Sequence, residues 1–364
     1  MTSPALLRAG IIGAGWIGRR HAANLASRDD VAVSAVSDVE LGRAREVAAE
    51  SGGTAFADWR EMLEQIPLDA VWVCTPPRGH TEPAVACLDR GLALYMEKPI
   101  ARSLDGARPI VAAARRERVV CAVGYQWRAV DVLEDLQRAQ AGRPVCCLVG
   151  QSIGGTQSRP WFLDRAAGGG NLLERGSHHI DLARVLAGEV VAVQAAAATV
   201  PLSRSRGGDI EDAVSLMLRF AGGGIGTIVV AWTSDDLPGS YWVEVISEHA
   251  MLRLDLDPDF RLRGTSLGSP VAAVRLLSAC CRSETARATR SRRASVRPGT
   301  PGPARATPTR RCASSRKRAA AGAHASAITA LTPAQSCSQP ADAATRRLNG
   351  SASCRRTIRT RPAR

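Results

Sequence analysis

The chain has 364 residues, enough for two folded domains at about 100 to 200 residues each. Its net charge of +14 is not spread evenly: residues 1 to 270 carry 28 basic against 32 acidic side chains, and residues 271 to 364 carry 20 against 2. No apolar run reaches the length of a bilayer-spanning helix, which argues against an integral membrane protein, and the 10 cysteines show no C-x-x-C pair in residues 1 to 270, so zinc-site arithmetic fails and no metal is expected.

Leu6 to Ile12 runs into a glycine cluster rather than a small-residue cleavage site, so it reads as a first strand and not as a signal peptide. From there to about residue 123, short apolar runs alternate with longer helical patterns, the signature of a doubly wound parallel α/β sheet. The strand candidates are 7–13, 31–38, 70–75, 92–97 and 119–124, with a weaker one near 54–57. Helix candidates begin near Ile17, Glu40, His80 and Leu104. Cys74 and Cys121 sit inside such apolar runs as small core residues, which suits a reducing, cytoplasmic compartment.

After Gly124 the alternation stops. Two helix patterns, 131–141 and 171–186, punctuate β-like runs at 145–153, 190–200, 213–220, 224–232, 241–246 and 250–256. Strands at this spacing, joined by glycine-rich turns, predict a second, α+β domain with an open, mostly antiparallel sheet. The expected division is 1–123, 124–270 and a remainder, 271–364. That remainder is rich in Arg, Ala, Ser, Thr and Pro and holds no aromatic residue. It reads either as a basic, disordered tail or, by preference, as a GC-rich gene read out of frame. Its charge would bind polyanions without specificity; no specific nucleic-acid partner is expected.

Gly13-Ala14-Gly15-Trp16-Ile17-Gly18 follows a strand candidate and opens a helix candidate, the context a G-x-G-x-x-G match needs. Its glycines permit a tight turn, close approach of backbone to a pyrophosphate, and helix-on-strand packing. The helix N-terminus supplies amide donors for the phosphates. Asp38, ending the second strand candidate, is placed to bond the adenosine ribose hydroxyls, which favours NAD over NADP. Thr75-Pro76-Pro77 and Glu97-Lys98-Pro99 end later strands, at the edge of the sheet where ligands of such folds bind. His80 is read as a first-turn polar residue or a cofactor contact. Lys98 is the only lysine in the first 270 residues, a compact donor retained among arginines.

The second constellation follows Gly168-Gly169-Gly170. On a helix starting at Asn171, Glu174, His178 and Asp181 fall at i, i+4 and i+7 on one face, a polar stripe suited to acid/base work, with the imidazole as proton acceptor and a carboxylate orienting it. Asn171 with Glu174 is also a capping-box pattern, so a structural role for Glu174 stands beside the catalytic one. The glycine triplet implies close backbone approach to something. Tyr125, Gln126, Trp127 and Arg128, together with His179 and Asp181, are candidates to line a substrate pocket.

Together the glycine motif, the Glu97-Lys98-Pro99 triplet and the segment from Gly168 to Asp181 resemble the glucose–fructose oxidoreductase/inositol dehydrogenase (Gfo/Idh/MocA) family over about residues 5 to 264. The resemblance implies a Rossmann domain followed by an α/β domain whose open sheet serves oligomerisation. It implies that Lys98 contacts the reacting oxygen and that His178 is the acid/base. At the position of Glu174 the family usually carries Asp, and its closing helix and strand have no counterpart in residues 271 to 364. The function expected is NAD-dependent hydride transfer to or from a secondary hydroxyl of a sugar, cyclitol or related polyol. A non-catalytic dinucleotide-binding sensor is the alternative, one that would need neither Lys98 nor His178.

Overall fold

The alternating pattern of the first 125 residues forms a six-stranded parallel sheet in the computed structural model, which describes residues 6–155, 159–233, 237–257 and 259–275. Its strands are β1 (Leu7–Ile12), β2 (Val31–Ser37), β3 (Thr54–Phe56), β4 (Ala70–Val73), β5 (Ala93–Met96) and β6 (Cys121–Val123), in the order β3-β2-β1-β4-β5-β6. Strand order reverses between β1 and β4, the switch point where open α/β sheets bind their ligands. Helices α1 (Trp16–Ala26), α2 (Leu41–Ser51), α3 (Trp59–Gln65), α4 (Thr81–Leu88) and α5 (Leu104–Glu117) connect the strands. Successive residues of one strand feed two cores: Ile11 packs with Ala22, Val36 and Val47, and Ile12 with Val71, Val73 and Met96. Helix α3 was not expected, because seven residues are too few to show a period; Asp58 starts it by accepting from the Arg60 amide at 2.8 Å.

The glycine motif is explained by contacts. Gly13 has φ +100°, and a Cβ there would lie 2.8 Å from the Cys74 carbonyl. A Cβ on Gly18 would lie 1.9 Å from the Gly13 carbonyl oxygen, a backbone atom that cannot move aside, whereas one on Gly15 would meet nothing within 4 Å. Gly18→Ala should therefore destabilise the domain by about 3 kcal/mol or more and weaken NADH binding with it. Parallel thermal melts and NADH titrations would check this; a variant melting with the parent would show that the turn tolerates a side chain.

The second sheet has eight strands in the order β14-β13-β12-β11-β7-β10-β9-β8. Chain order begins with α6 (Asp131–Gln140) and β7 (Val145–Gly155). Two four-residue helices follow, α7 (Pro160–Leu163) and α8 (Arg165–Gly168), then α9 (Ser177–Ala187) and β8 (Val190–Ala198). The remaining strands are β9 (Ala213–Phe220), β10 (Ile225–Thr233), β11 (Ser240–Ser247), β12 (Ala250–Asp255), β13 (Phe260–Ser266) and β14 (Ser269–Arg275). Neighbours are antiparallel except for β7 and β10, which pair in parallel. Helices α6 and α9 cover one face, burying Leu136, Leu148, Leu182, Ile228 and Leu252.

β13 and β14 extend the sheet beyond the last strand expected from sequence. Their pattern is broken by arginines and by Gly264, whose absent side chain lets the chain pass the Met251 carbonyl, 2.0 Å from where a Cβ would stand. β14 runs to Arg275, past the boundary expected at 270. The tail expectation for the rest, 276–364, lies outside the described residues.

Candidate active site

A cleft of about 890 Å³ opens at the carboxyl ends of β1, β2, β4 and β5, and α9 and the segments around it form its other side. Gly13, Gly15, Trp16 and Ile17 line it from the turn after β1, and Asp38 from the end of β2. Thr75 and Pro76 follow β4, and Glu97 and Lys98 follow β5. Pro77, Gln126, Trp127, Glu174 and His178 complete the lining among the residues singled out by sequence. The Asp38 carboxylate accepts from the Ala14 amide at 2.8 Å and the Glu40 amide at 2.9 Å, which fixes it beside the glycine turn with lone pairs to spare. The buried Thr75 hydroxyl has no partner. Open space at Gly15, an anchored carboxylate and an unsatisfied hydroxyl along one groove are what a bound dinucleotide requires, and these residues fit it. Arg43, absent from the sequence reading, also lines the cleft, but Glu40 holds it at 2.7 Å.

Six of the expected site residues are not in the lining. Gly18 packs on Gly13, as its place in the motif requires. His80 is fully buried, its Nδ1 2.8 Å from the Pro99 carbonyl oxygen and its Nε2 2.7 Å from that of Thr75. It stands at the N-cap position of α4 without a side-chain cap bond and outside the cleft lining, a strut tying the turn after β4 to the turn that carries Lys98. Arg128 and Asp181 bind each other through two hydrogen bonds, 2.6 and 2.5 Å long, so both leave the pocket. His179 is 1 % exposed beneath Gly150 of β7, with the backbone of Trp242 and Gln151 beside its ring. Tyr125 meets the His178 ring edge-on at 6.2 Å from behind the lining.

The helix expected from Asn171 is two pieces. Leu172–Gly176 form a π-helical turn, and α9 starts only at Ser177. The capping box does not form: Asn171 is already helical, and its side-chain amide donates to the Asp212 carbonyl at 3.2 Å. What the glycine triplet approaches is Glu211, which accepts from the Leu172 amide at 2.8 Å and from Arg165 at 2.7 Å. A Cβ on Gly170, which has φ +111°, would lie 2.8 Å from that carboxylate. Glu211 was missed in the sequence because one acid 37 residues beyond Glu174 carries no local signal.

The π turn aims Glu174 at Lys98 rather than at His178. Lys98 Nζ donates to the Glu174 carboxylate and, at 2.9 Å, to the Glu174 carbonyl, and the two side chains are 14 % and 13 % exposed. Burial pushes the Glu174 carboxyl up while the Lys98 charge pulls it down, and burial prevails. The Glu97 carboxylate is hydrogen-bonded to His21 Nε2 at 3.0 Å and accepts from the Lys98 amide at 3.3 Å, bracing the same turn. His178 stands beside this pair with Nδ1 unpartnered, its ring 4.8 Å from that of Trp127, which also touches His179 at 4.7 Å. Burial first, then the Lys98 and His179 charges, push the His178 pKa down to about 3, so the ring is neutral at physiological pH.

A dinucleotide groove meeting a buried lysine, a carboxylate and a neutral imidazole at the sheet's switch point defines a two-domain oxidoreductase. Comparison with known proteins gives the family. The sequence model of an oxidoreductase family with an NAD-binding Rossmann fold matches residues 7–125, and that of the GFO/IDH/MocA C-terminal domain matches 140–253. The chain belongs to the Gfo/Idh/MocA family, and its cofactor is NAD.

Among curated relatives, it is 31 % identical to a myo-inositol 2-dehydrogenase of Thermotoga maritima over 61 % of this chain and 67 % of that protein. It is 27 % identical to a levoglucosan dehydrogenase of Pseudarthrobacter phenanthrenivorans over 61 % and 66 %. The chain thus spans about two thirds of the length of these relatives. Among solved structures, a levoglucosan dehydrogenase in complex with NADH superposes with a TM-score of 0.65 at 22 % identity, covering 75 % of this chain and 81 % of that one. GenD2 from gentamicin A biosynthesis, in complex with NAD, gives 0.63 at 25 % over 70 % and 74 %. No helix among the described residues is long and apolar enough to cross a membrane.

Proposed function

We propose that this enzyme transfers hydride between NAD and a secondary hydroxyl or ketone of a sugar, cyclitol or related polyol. The observation that carries the reading is the convergence of Lys98, Glu174 and His178 on the cleft beside the glycine turn. In the oxidative direction His178, neutral and lining the cleft, accepts the hydroxyl proton. Lys98 donates a charge-assisted hydrogen bond to the oxygen as negative charge grows there. Glu174 acts on Lys98, holding its ammonium in place and keeping the pair near neutral overall. NAD, when bound, supplies the hydride acceptor. The relatives named for inositol and levoglucosan support a hydroxyl-rich substrate. A dinucleotide sensor would have no use for a buried ammonium–carboxylate pair in the groove, which disfavours that reading. Screening polyols with NAD reduction as the signal tests the function; NADH binding without turnover of any of them would revive the sensor.

NADH should bind more tightly than NADPH, because a 2′-phosphate would meet the Asp38 carboxylate and Arg43 is already held by Glu40. Titrating the tryptophan fluorescence with each cofactor decides it, and tighter binding of NADPH would overturn the assignment. We assign the dinucleotide to residues 1–123 and the substrate to the second sheet and its helices. Self-association is assigned to that sheet's uncovered face, where Met251, Ile246, Cys147 and Ile225 stand in one cross-strand row. Three buried free thiols, Cys74, Cys87 and Cys121, accord with a reducing cytoplasm.

A further inference from the structure

The substrate end of the cleft has one charge left over. Lys98 and Glu174 neutralise each other, Glu97 is engaged by His21, and His178 is neutral. The walls there, Gln126, Trp127 and Trp161, are uncharged. Arg159, which precedes α7, also lines the cleft and is only partly exposed. Its guanidinium has no hydrogen bond or ion pair among the described residues; it lies 5.3 Å from the centre of the Trp16 ring, close enough to Glu174 for its charge to act on that carboxyl. The exposed carboxyl of the cleft, Asp257, has Asp259 as its charged neighbour, not Arg159. Arg20, also beside Trp16 at 5.5 Å, sits on α1 next to the glycine turn, and the exposed Arg78 sits in the turn after β4, so both belong with the dinucleotide. Arg159 enters instead from the chain that follows β7, on the substrate side.

A guanidinium left unpaired in a narrow cleft is costly unless a ligand completes it, and its fork of donors matches a carboxylate or phosphate. We propose that Arg159 receives an anionic group on the substrate, so that the enzyme acts on an acidic polyol, a uronate or a phosphorylated sugar, in preference to a neutral one. The proposal rests on the polyol reading above and narrows it.

The test uses the full chain saturated with NADH and follows the fluorescence of the bound cofactor at constant ionic strength. Sodium glucuronate and glucose 6-phosphate are titrated against glucose and myo-inositol. At least one of the two anions should bind about ten- to hundredfold more tightly than the neutral pair, the scale of one charge-assisted contact. The two anions separate carboxylate from phosphate. Arg159→Gln should abolish the preference and leave neutral-sugar and NADH affinities within about twofold, and Arg159→Lys should restore part of it. The basic C-terminal segment is the same in parent and variants, so anion binding there cannot produce the difference.

Equal binding of neutral and anionic sugars by the parent would overturn the proposal and leave the polyol reading intact. An Arg159→Gln protein that loses NADH affinity but keeps its anion preference would assign the residue to the pyrophosphate and overturn the proposal as well. Failure of every sugar to bind the NADH complex would remove the polyol reading and this inference together.

Discussion

Lys98→Met should lower kcat by about 10² to 10³, equivalent to roughly 3 to 4 kcal/mol, while NADH affinity changes little. Met keeps an unbranched chain of similar length and removes only the donor and the charge. The loss falls on kcat because the alkoxide that Lys98 stabilises exists only as the hydride leaves. The structure adds a complication that can be measured. Glu174 would be left buried without its partner, and breaking such a pair costs about 3 to 5 kcal/mol when the survivor stays charged. Since burial already raises the Glu174 carboxyl, it should instead take up a proton. Lys98→Met/Glu174→Gln should therefore be more stable than a charged orphan allows and equally slow. His178→Ala should cost a comparable factor, and combining it with Lys98→Met should add little, since both serve one transfer. Steady-state kinetics with circular dichroism as a folding check decides the matter. Turnover near the parent rate in Lys98→Met would remove the main support for the mechanism.

Acid should destabilise this fold well before its surface carboxylates titrate. The His178 and His179 pKa values are pushed down, chiefly by burial, to about 3 and about 4 from 6.5. Their folded-state values lie below the unfolded one, so between pH 6.5 and about 4 the unfolded chain binds protons that the native chain refuses, and stability falls as pH falls. At about 1.4 kcal/mol per pH unit, each ring costs up to about 2 kcal/mol at pH 5, and less for His178, whose ring reaches the cleft. Glu174 works in the opposite direction, because a carboxyl raised by burial gains on protonation. His179 is the cleaner probe, being 1 % exposed and outside the pocket. Urea denaturation at pH 7 and pH 5 should show a drop in the parent that is about 2 kcal/mol smaller in His179→Gln. An identical drop in both proteins would mean that His179 is not held neutral. In catalysis the same shift of His178 predicts no loss of kcat/KM from protonation of the base between pH 7 and pH 5.

Local pattern made much of this protein legible. The six strands of the first sheet are runs of three to seven residues bounded by turns, and the glycine motif is a spacing within one strand–turn–helix unit. Lys98 stood out as a lone lysine, and the acid ending the second strand as a fixed offset from the glycines. These features are encoded over spans of about 30 residues, where periodicity and steric rules act.

The partners of the polar residues were not legible in this way. Glu174 and His178 look equivalent on a helical wheel, yet one pairs with Lys98, 76 residues away, and the other lines the cleft without joining that pair. The reason is a one-residue widening of the helix at 172–176, tied down by Glu211 from a distant segment. His80 and Asp181 were polar residues near the right motifs, but burial made one a strut and paired the other with Arg128, because a polar group removed from water takes a partner wherever the packing provides one; His179 is buried with neither ring nitrogen hydrogen-bonded. Sequence by itself determined the family, the parallel sheet, the cofactor groove and the residues able to do chemistry. Only the tertiary structure decided which of them face the cleft, since that depends on contacts between segments whose separation along the chain leaves no local trace.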